Sequence, residues 1–392
     1  MRSICRFVVF SSIPIIPGIA QPMHHHDMMT PAEMHLMSLA SGTSMNPESW
    51  TMPMLMGRAK QWRLMFMSRV FVIDTQQSGP RGGDKFYSTN WGMASAMRSF
   101  GQGALSFDTM LSLEPATVTD RRYPELFQTG ETAYGRPIID GQHPHNFVMS
   151  LGVHYARRVG EGGIAELYYA PVGDPALGPV AYPHRASAAE LAQAPLGHHW
   201  QDSTHISTNV VTGAVKYQKV RLEVSGFSGI EPGENRWTIA WKTIDSYSGR
   251  FSVFPTRNWM VQVSSGRLVN ETRTTASAHY TRDNWSTSWI WGRDHGHNSF
   301  LAETVFPVKR ANWITGRWEL VDKDELAEPG VHRIVAYTGG YTRDFDVFRY
   351  VATGLGFNFT GYNVARGLQA SYGEHPVSAS VFLRLRLQRP TH

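Results

Sequence analysis

The stretch Val377-Ser378-Ala379-Ser380-Val381-Phe382-Leu383-Arg384-Leu385-Arg386-Leu387-Gln388 alternates without a break. Val377, Ala379, Val381, Leu383, Leu385 and Leu387 fall on one face of a strand, and Ser378, Ser380, Phe382, Arg384, Arg386 and Gln388 on the other. One face is greasy and the other polar, over about the ten residues that a tilted strand needs to cross a bilayer. Far upstream, Trp62, Leu64, Phe66, Ser68, Val70 and Val72 oppose Arg63, Met65, Met67, Arg69 and Phe71 with the same period. Between these two segments the pattern predicts fourteen more strands, near 85–99, 103–114, 146–158, 163–173, 205–217, 219–230, 247–254, 259–265, 274–281, 285–291, 298–308, 311–321, 332–343 and 347–359.

The links between these strands alternate in length. Gly101-Gln102-Gly103, Glu161-Gly162, Gln218, Arg257-Asn258, Asp283-Asn284, Lys309-Arg310 and Asp344-Phe345-Asp346 are tight, and every intervening link reads as longer. An even strand number, short turns at one end and long loops at the other are the rules of outer-membrane barrels. The expected fold is therefore all-β: one closed antiparallel transmembrane β-barrel of about sixteen strands, with fourteen as the nearest alternative and long extracellular loops. A soluble sandwich also alternates, but rarely keeps this up-and-down length rule along a whole chain. Trp62, Trp91, Tyr123, Trp200, Trp237, Trp241, Trp259, Trp285, Trp313, Tyr341 and Tyr350 lie near strand ends, where interfacial girdles form.

Composition narrows the class further. The 392 residues carry 37 basic and 32 acidic side chains with 18% charged and 12% aromatic residues, which suits neither a disordered chain nor a nucleic-acid binder. Arg2 and Arg6 precede an apolar run from Phe7 to Ile16 that ends at Gly18-Ile19-Ala20, the pattern of a secretory signal over residues 1–20. Its removal leaves a charge of +3 and no cysteine, since Cys5 is the single one, so disulfides, thiolate metal sites and cysteine nucleophiles are excluded. Export without disulfides fits a bacterial envelope. The partners expected are outer-membrane lipid, the outer-membrane assembly machinery, and small solutes or metal ions, with no nucleic acid.

Residues 21–57 read differently from the rest. They hold nine methionines and four histidines without strand periodicity, and are expected to form a disordered periplasmic leader outside a barrel of residues 58–392. Thioether sulfur suits Cu(I) and imidazole suits Cu(II) or Zn, so Met23, His24, His25, His26, Asp27, Met28, Met29, Met34, His35 and Met37 are candidate ligands for a copper or zinc ion. No cofactor is required by this reading. The remaining seven methionines read as scattered, so the leader rather than the barrel is expected to supply soft-metal affinity. A disordered polar tail, with Met34 and Met37 as a small apolar stripe, is the plainer alternative.

A second histidine set lies on the long-loop side, in Asp140-Gly141-Gln142-His143-Pro144-His145 and Gly197-His198-His199-Trp200-Gln201-Asp202-Ser203-Thr204-His205. Links of about thirty residues are far longer than ordinary connections and commonly fold into a barrel's lumen. His143, His145, His198, His199, Asp202 and His205 are the rival metal site, or a proton-linked gate, against the simpler reading that these groups pair within folded loops. Ser203 and His205 share a strand face, the minimum for a hydrolytic pair as in lipid-modifying barrels, but no nucleophile elbow, His-Glu-x-x-His or phosphate loop supports catalysis. The expectation is a channel or envelope protein that is not an enzyme, with a general diffusion porin as the alternative. Arg384 and Arg386 are expected to face the lumen with Arg63 and Arg69, either to set ion preference or to pair with carboxylates there.

Several stretches together resemble a family of predicted bacterial outer-membrane barrels without an assigned activity. They are Gly79-Pro80-Arg81-Gly82-Gly83-Asp84, Ser88-Thr89-Asn90-Trp91-Gly92-Met93, Gln128-Thr129-Gly130-Glu131-Thr132, His143-Pro144-His145, Pro183-His184-Arg185 and Ala194 to His205, with His375-Pro376-Val377 at the far end. This resemblance implies the fold and the location, and no catalytic residues. The leader alone is similar in composition to outer-membrane copper-resistance proteins, in which a Met/His-rich periplasmic segment precedes a barrel.

Overall fold

Trp62–Gln77 and Val377–Leu387 lie side by side and antiparallel, with Gln77 opposite Ser378 and Arg69 opposite Arg386. That pairing closes the sheet on itself. The computed structural model describes residues 29–202, 207–230, 232–269, 271–309 and 311–388. The signal segment and Met23, His24, His25, His26, Asp27 and Met28 lie outside the described residues, as do Ser203 and His205.

A helix α1 (Pro31–Met37) and a short strand β1 (Leu55–Ala59) come first, followed by β2 (Trp62–Gln77), β3 (Lys85–Phe100) and β4 (Gly103–Leu111). A separate hairpin, β5 (Tyr123–Ala133) and β6 (Arg136–Gln142), leads to β7 (Val148–Val159), β8 (Gly163–Gly173), β9 (Ser207–Tyr217) and β10 (Val220–Ser228). Then follow β11 (Ser246–Val253), β12 (Trp259–Leu268), β13 (Glu271–Arg282), β14 (Trp285–Asp294) and β15 (His297–Val308). The series ends with β16 (Asn312–Lys323), β17 (His332–Phe348), β18 (Val351–Asn363) and β19 (Val377–Leu387). Among the described residues, β2 to β4 and β7 to β19 form the sixteen-stranded barrel, each strand antiparallel to its neighbours.

The wall is inside-out relative to a soluble protein. On β10, Leu222 and Val224 are exposed while Arg221, Glu223 and Ser225 are buried, and on β19 Val381 is exposed while Ser380, Arg384 and Arg386 are buried. Apolar side chains pointing outward from a closed sheet are stable only against lipid, and polar ones inward need partners in the lumen. At one end the turns are tight. Asp283 and Asn284 both have positive φ, at 49° and 68°, the geometry that matches the twist of a two-residue hairpin.

The structure departs from the sequence reading at four places. The links between Leu268 and Glu271 and between Asp294 and His297, at the opposite end, are also short, so not every link there is long. The strands around them run further than their apolar cores suggested, because Arg273, Asp294 and Arg293 continue the ladder as polar residues. Trp91, Tyr123, Trp200 and Trp313 do not belong to an outer girdle. Tyr123 and Trp200 are buried within the loops, Trp91 stacks on His184, and Trp313 donates to Asp344.

The largest departure concerns the segment expected to be a disordered leader outside the barrel. Its described part, residues 29–57, is folded, and it lies in the lumen. Thr30 and Glu33 form a capping box around Pro31, which starts α1. Ala32 and Leu36 then pack with Met65, Met97, Ala104 and Ala156 of the wall. The chain climbs to Gly42, where a Cβ would lie 2.5 Å from the Asp174 carbonyl at the end of β8. It then turns back, and Ser49 donates its N–H to the Arg257 carbonyl at the tight-turn end, 2.8 Å away. β1 follows as a hairpin partner of β2, with Leu55 opposite Phe66 and Ala59 opposite Trp62, so the sheet begins at 55 rather than 58. β1 takes the edge of β2 below the last residue of β19, a stretch that otherwise leaves backbone groups unpaired. Composition alone hid this, because methionine-rich apolar spacing over one short helix carries no strand period.

The link from β8 to β9 also enters the barrel. Arg185, fully buried, donates to Glu303 at 2.6 Å and to Asp202 at 3.1 Å, and Leu196 donates its N–H to Glu319 at 2.6 Å. Glu190 receives Arg384 and Arg386 of β19. The inward arginines expected of the last strand are therefore present, and they pair with a carboxylate on the inserted loop. Above this loop, Leu126 and Phe127 of the β5–β6 hairpin join Leu196, Trp200, Tyr362 and Tyr372 in an apolar cluster across the mouth.

Candidate functional site

Two features remain within the filled lumen. The first is a cavity of about 70 Å³, sufficient for a few waters or a single ion with part of its hydration shell. Met65, Met67, Met93, Met110 and Met149 reach it from the wall, and Met37, Met52 and Met54 from the N-terminal segment. Five of the seven wall methionines are thus not scattered: alternate positions on β2, together with β3, β4 and β7, line one cavity. His184 Nε2 lies 3.1 Å from Met110 Sδ, and the His184 ring packs on Trp91 with centroids 4.4 Å apart. Burial and the nearby Arg69 hold the His184 imidazole down to about 3, so it is neutral, and its Nε2–H donates to the Met110 thioether, which can only accept.

The cavity does not stand alone. Met37, Met52 and Met54 also line a vestibule of about 1860 Å³ that opens at the tight-turn end, together with Met34, Met56 and Arg386. Met34 is half exposed there and Met29 packs against the lumen cluster. Thioethers consequently line the way from the vestibule into the inner cavity. His145, His184 and His198 stand at its loop side.

The second feature is a cluster of three imidazoles. His143, from the link after β6, and His198 and His199, from the loop after β8, bring ring nitrogens within 4.8 Å of one another. His143 and His198 are buried, and the His198 and His199 rings lie 4.2 Å apart. Gly130 is required beside them, since a Cβ there would meet the His199 ring at 2.7 Å. Burial holds His143 down to about 4 and His198 well below the ordinary histidine range, which keeps both neutral.

Other candidates are placed elsewhere. His145 pairs with Glu114 at 2.9 Å and touches the Tyr182 hydroxyl, and Asp202 pairs with Arg185. His35 lies 2.7 Å from Glu166, which also holds His154 and Arg221. These three are held by oppositely charged or hydrogen-bonding partners and are not members of the cluster. The sequence reading named the loop histidines but missed the wall methionines. Their inward parity on β2, with Met65 and Met67 on the Arg63 and Arg69 face, was the signal that marks them.

No protein-family model matches the chain, and no curated protein matches it. Solved structures do. The anion-selective porin from Comamonas acidovorans aligns over 83% of this chain and 100% of its own, with a TM-score of 0.53 at 11% identity. Salmonella typhi OmpF, solved with daunomycin, aligns over 85% and 100% with a TM-score of 0.52 at 9% identity. Pseudomonas putida OprB aligns over 84% and 94% with a TM-score of 0.50 at 9% identity. At such identity the likeness establishes the fold: the chain is a porin-type closed β-barrel.

Proposed function

We propose that this protein is an outer-membrane channel whose lumen takes soft metal cations, with Cu(I) the ion best matched to it. The observation that carries this reading is the convergence of eight methionines on one cavity, five from the barrel wall and three from the inserted segment. Thioether sulfur has little affinity for hard ions and favours Cu(I). The outward apolar band supports the membrane location, and by the usual rule of such barrels the tight-turn end is the periplasmic side. The inserted segment acts here as part of the pore lining rather than as a tether, and no catalytic step is assigned to the protein.

The test uses purified protein in liposomes loaded with a silver-sensitive probe, Ag⁺ serving as an air-stable surrogate for Cu(I). Faster Ag⁺ entry than in protein-free liposomes is expected, together with a loss of that advantage in the Met110→Leu/Met149→Leu variant. Equal Ag⁺ entry in wild type and variant, with ready permeation of uncharged sugars, would overturn the reading. That outcome favours a general diffusion porin, the second reading, which draws support from the wide vestibule and from the porin-type fold.

A further inference from the structure

We infer that His143, His198 and His199, with Glu131, form a binding site for a divalent transition-metal ion of the Zn²⁺ or Cu²⁺ type, which joins two loops across the barrel's mouth. The site differs from the methionine cavity in chemistry and does not rest on the soft-cation reading. Three imidazoles whose nitrogens lie within 4.8 Å are within small side-chain rotations of a shared ion, since Zn–N bonds of about 2.0–2.1 Å place ligand atoms a little over 3 Å apart.

The Nδ1 surroundings suit a metal-binding tautomer. His143 Nδ1 lies 3.1 Å from the Pro144 carbonyl and His198 Nδ1 2.8 Å from the Pro195 carbonyl. With the proton on Nδ1, which a carbonyl accepts, each ring would give Nε2 to a metal. Gln128 Nε2 donates to the Pro195 carbonyl at 3.2 Å and lies 3.0 Å from the same His198 nitrogen, so the amide packs beside that ring. Such outer partners are the usual means of orienting metal-binding imidazoles.

The carboxylate supplies an independent observation. Glu131 Oε1 lies 3.1 Å from His143 Nε2, and both groups are buried. Without metal, a proton on Nε2 satisfies that contact, and a metal cation held by both groups would replace that proton. The other carboxylate oxygen is taken by Arg236, which offsets the charge of the site and leaves Oε1 beside His143 as the donor that a side-chain movement would bring to the three imidazoles. N/O donors without sulfur select borderline divalent ions over Cu(I).

The experiment is a titration of the purified full chain with Co²⁺, whose visible absorption reports a tetrahedral nitrogen site, followed by displacement with Zn²⁺. Wild type is expected to show the band and to lose it to stoichiometric Zn²⁺. His143→Gln and His199→Gln are each expected to weaken binding by at least roughly tenfold, the lower range for disturbing a metal site. Heat-modifiable gel mobility verifies that the variants are folded. If either variant fails to fold, Cu²⁺ electron paramagnetic resonance on wild type decides, with hyperfine coupling to several imidazole nitrogens expected. Absence of both the Co²⁺ band and that coupling overturns the inference, as do folded variants of unchanged affinity. Ag⁺ transport by the same preparations separates the two readings: its loss with Co²⁺ binding intact removes only the soft-cation channel, and the reverse removes only this site.

Discussion

Glu166 of β8 holds His35 of α1 at 2.7 Å, and through the same carboxylate it also holds His154 and Arg221. A helix from the chain's own N-terminal segment is thereby fastened to the barrel wall through one buried acidic group. Removing that group leaves Arg221, 1% exposed, with Glu223 and the Thr43 carbonyl as its partners among the described residues. Loss of one member of a buried ionic network costs about 3–5 kcal/mol. Glu166→Ala is therefore expected to lower the temperature at which the compact gel band disappears, and to raise single-channel current as α1 loosens. An unchanged midpoint and current would show that apolar packing of Ala32 and Leu36 alone holds the helix.

The inserted segment should also set the size of the open pore. Residues 29–54 fill the lumen between β4, β7, β8 and the loop after β8, whereas β1 completes the sheet edge beside β2. Deleting 29–54 while keeping β1 is expected to give a folded barrel with severalfold higher conductance and faster sugar permeation. Conductance equal to wild type in the deletion would mean that the loop carrying Arg185 closes the lumen by itself.

Much of this architecture was legible in period-two alternation, and the failures have physical causes. Sixteen strands followed from parity and turn spacing, because lipid on one side and polar partners on the other force every residue of the wall to declare its face. The segment 29–57 escaped because its burial depends on groups far away in the chain, such as Glu166 and Arg221, that no local pattern reveals. The same holds for the metal candidates. His198 and His199 were visible as neighbours, but their approach to His143 depends on how two separate loops fold against Gly130 and Tyr182. Asp202 was legible as a polar loop residue, and only the structure shows that Arg185 takes it.

The three-imidazole cluster should show an acid limit. Burial holds the His143 imidazole down to about 4, against 6.5 for the ordinary side chain, so the folded protein binds fewer protons than the unfolded chain between these values. Its contribution to stability is complete above about 6.5 and is lost as pH falls toward about 4, by up to roughly 1.4 kcal/mol per pH unit in that window. Metal binding needs the same neutral form and should persist at pH 5.5, where an exposed histidine site is largely protonated. Chemical denaturation midpoints and Co²⁺ titrations across pH 4–8 check both expectations, and a binding midpoint near 6.5 would contradict them.

The final expectation concerns ion preference. Arg384 and Arg386 meet Glu190 on the inserted loop, Arg384 also reaches Asp344, and Arg69 donates to the Pro183 carbonyl on the same loop. Glu190 is the carboxylate that balances this arginine group from the loop side, and it lines the vestibule together with Arg386. Glu190→Gln keeps the side chain's volume and removes its charge. The arginines then face the lumen with Asp344 as the acidic partner, and a pore wall with surplus positive charge favours anions. The reversal potential in a potassium chloride gradient should move toward that of chloride in this variant. Arg384→Gln should move it the opposite way, because Glu190 and Asp344 lose the guanidinium between them. If both substitutions shift the potential in the same direction, the change comes from movement of the loop rather than from the charge of the wall.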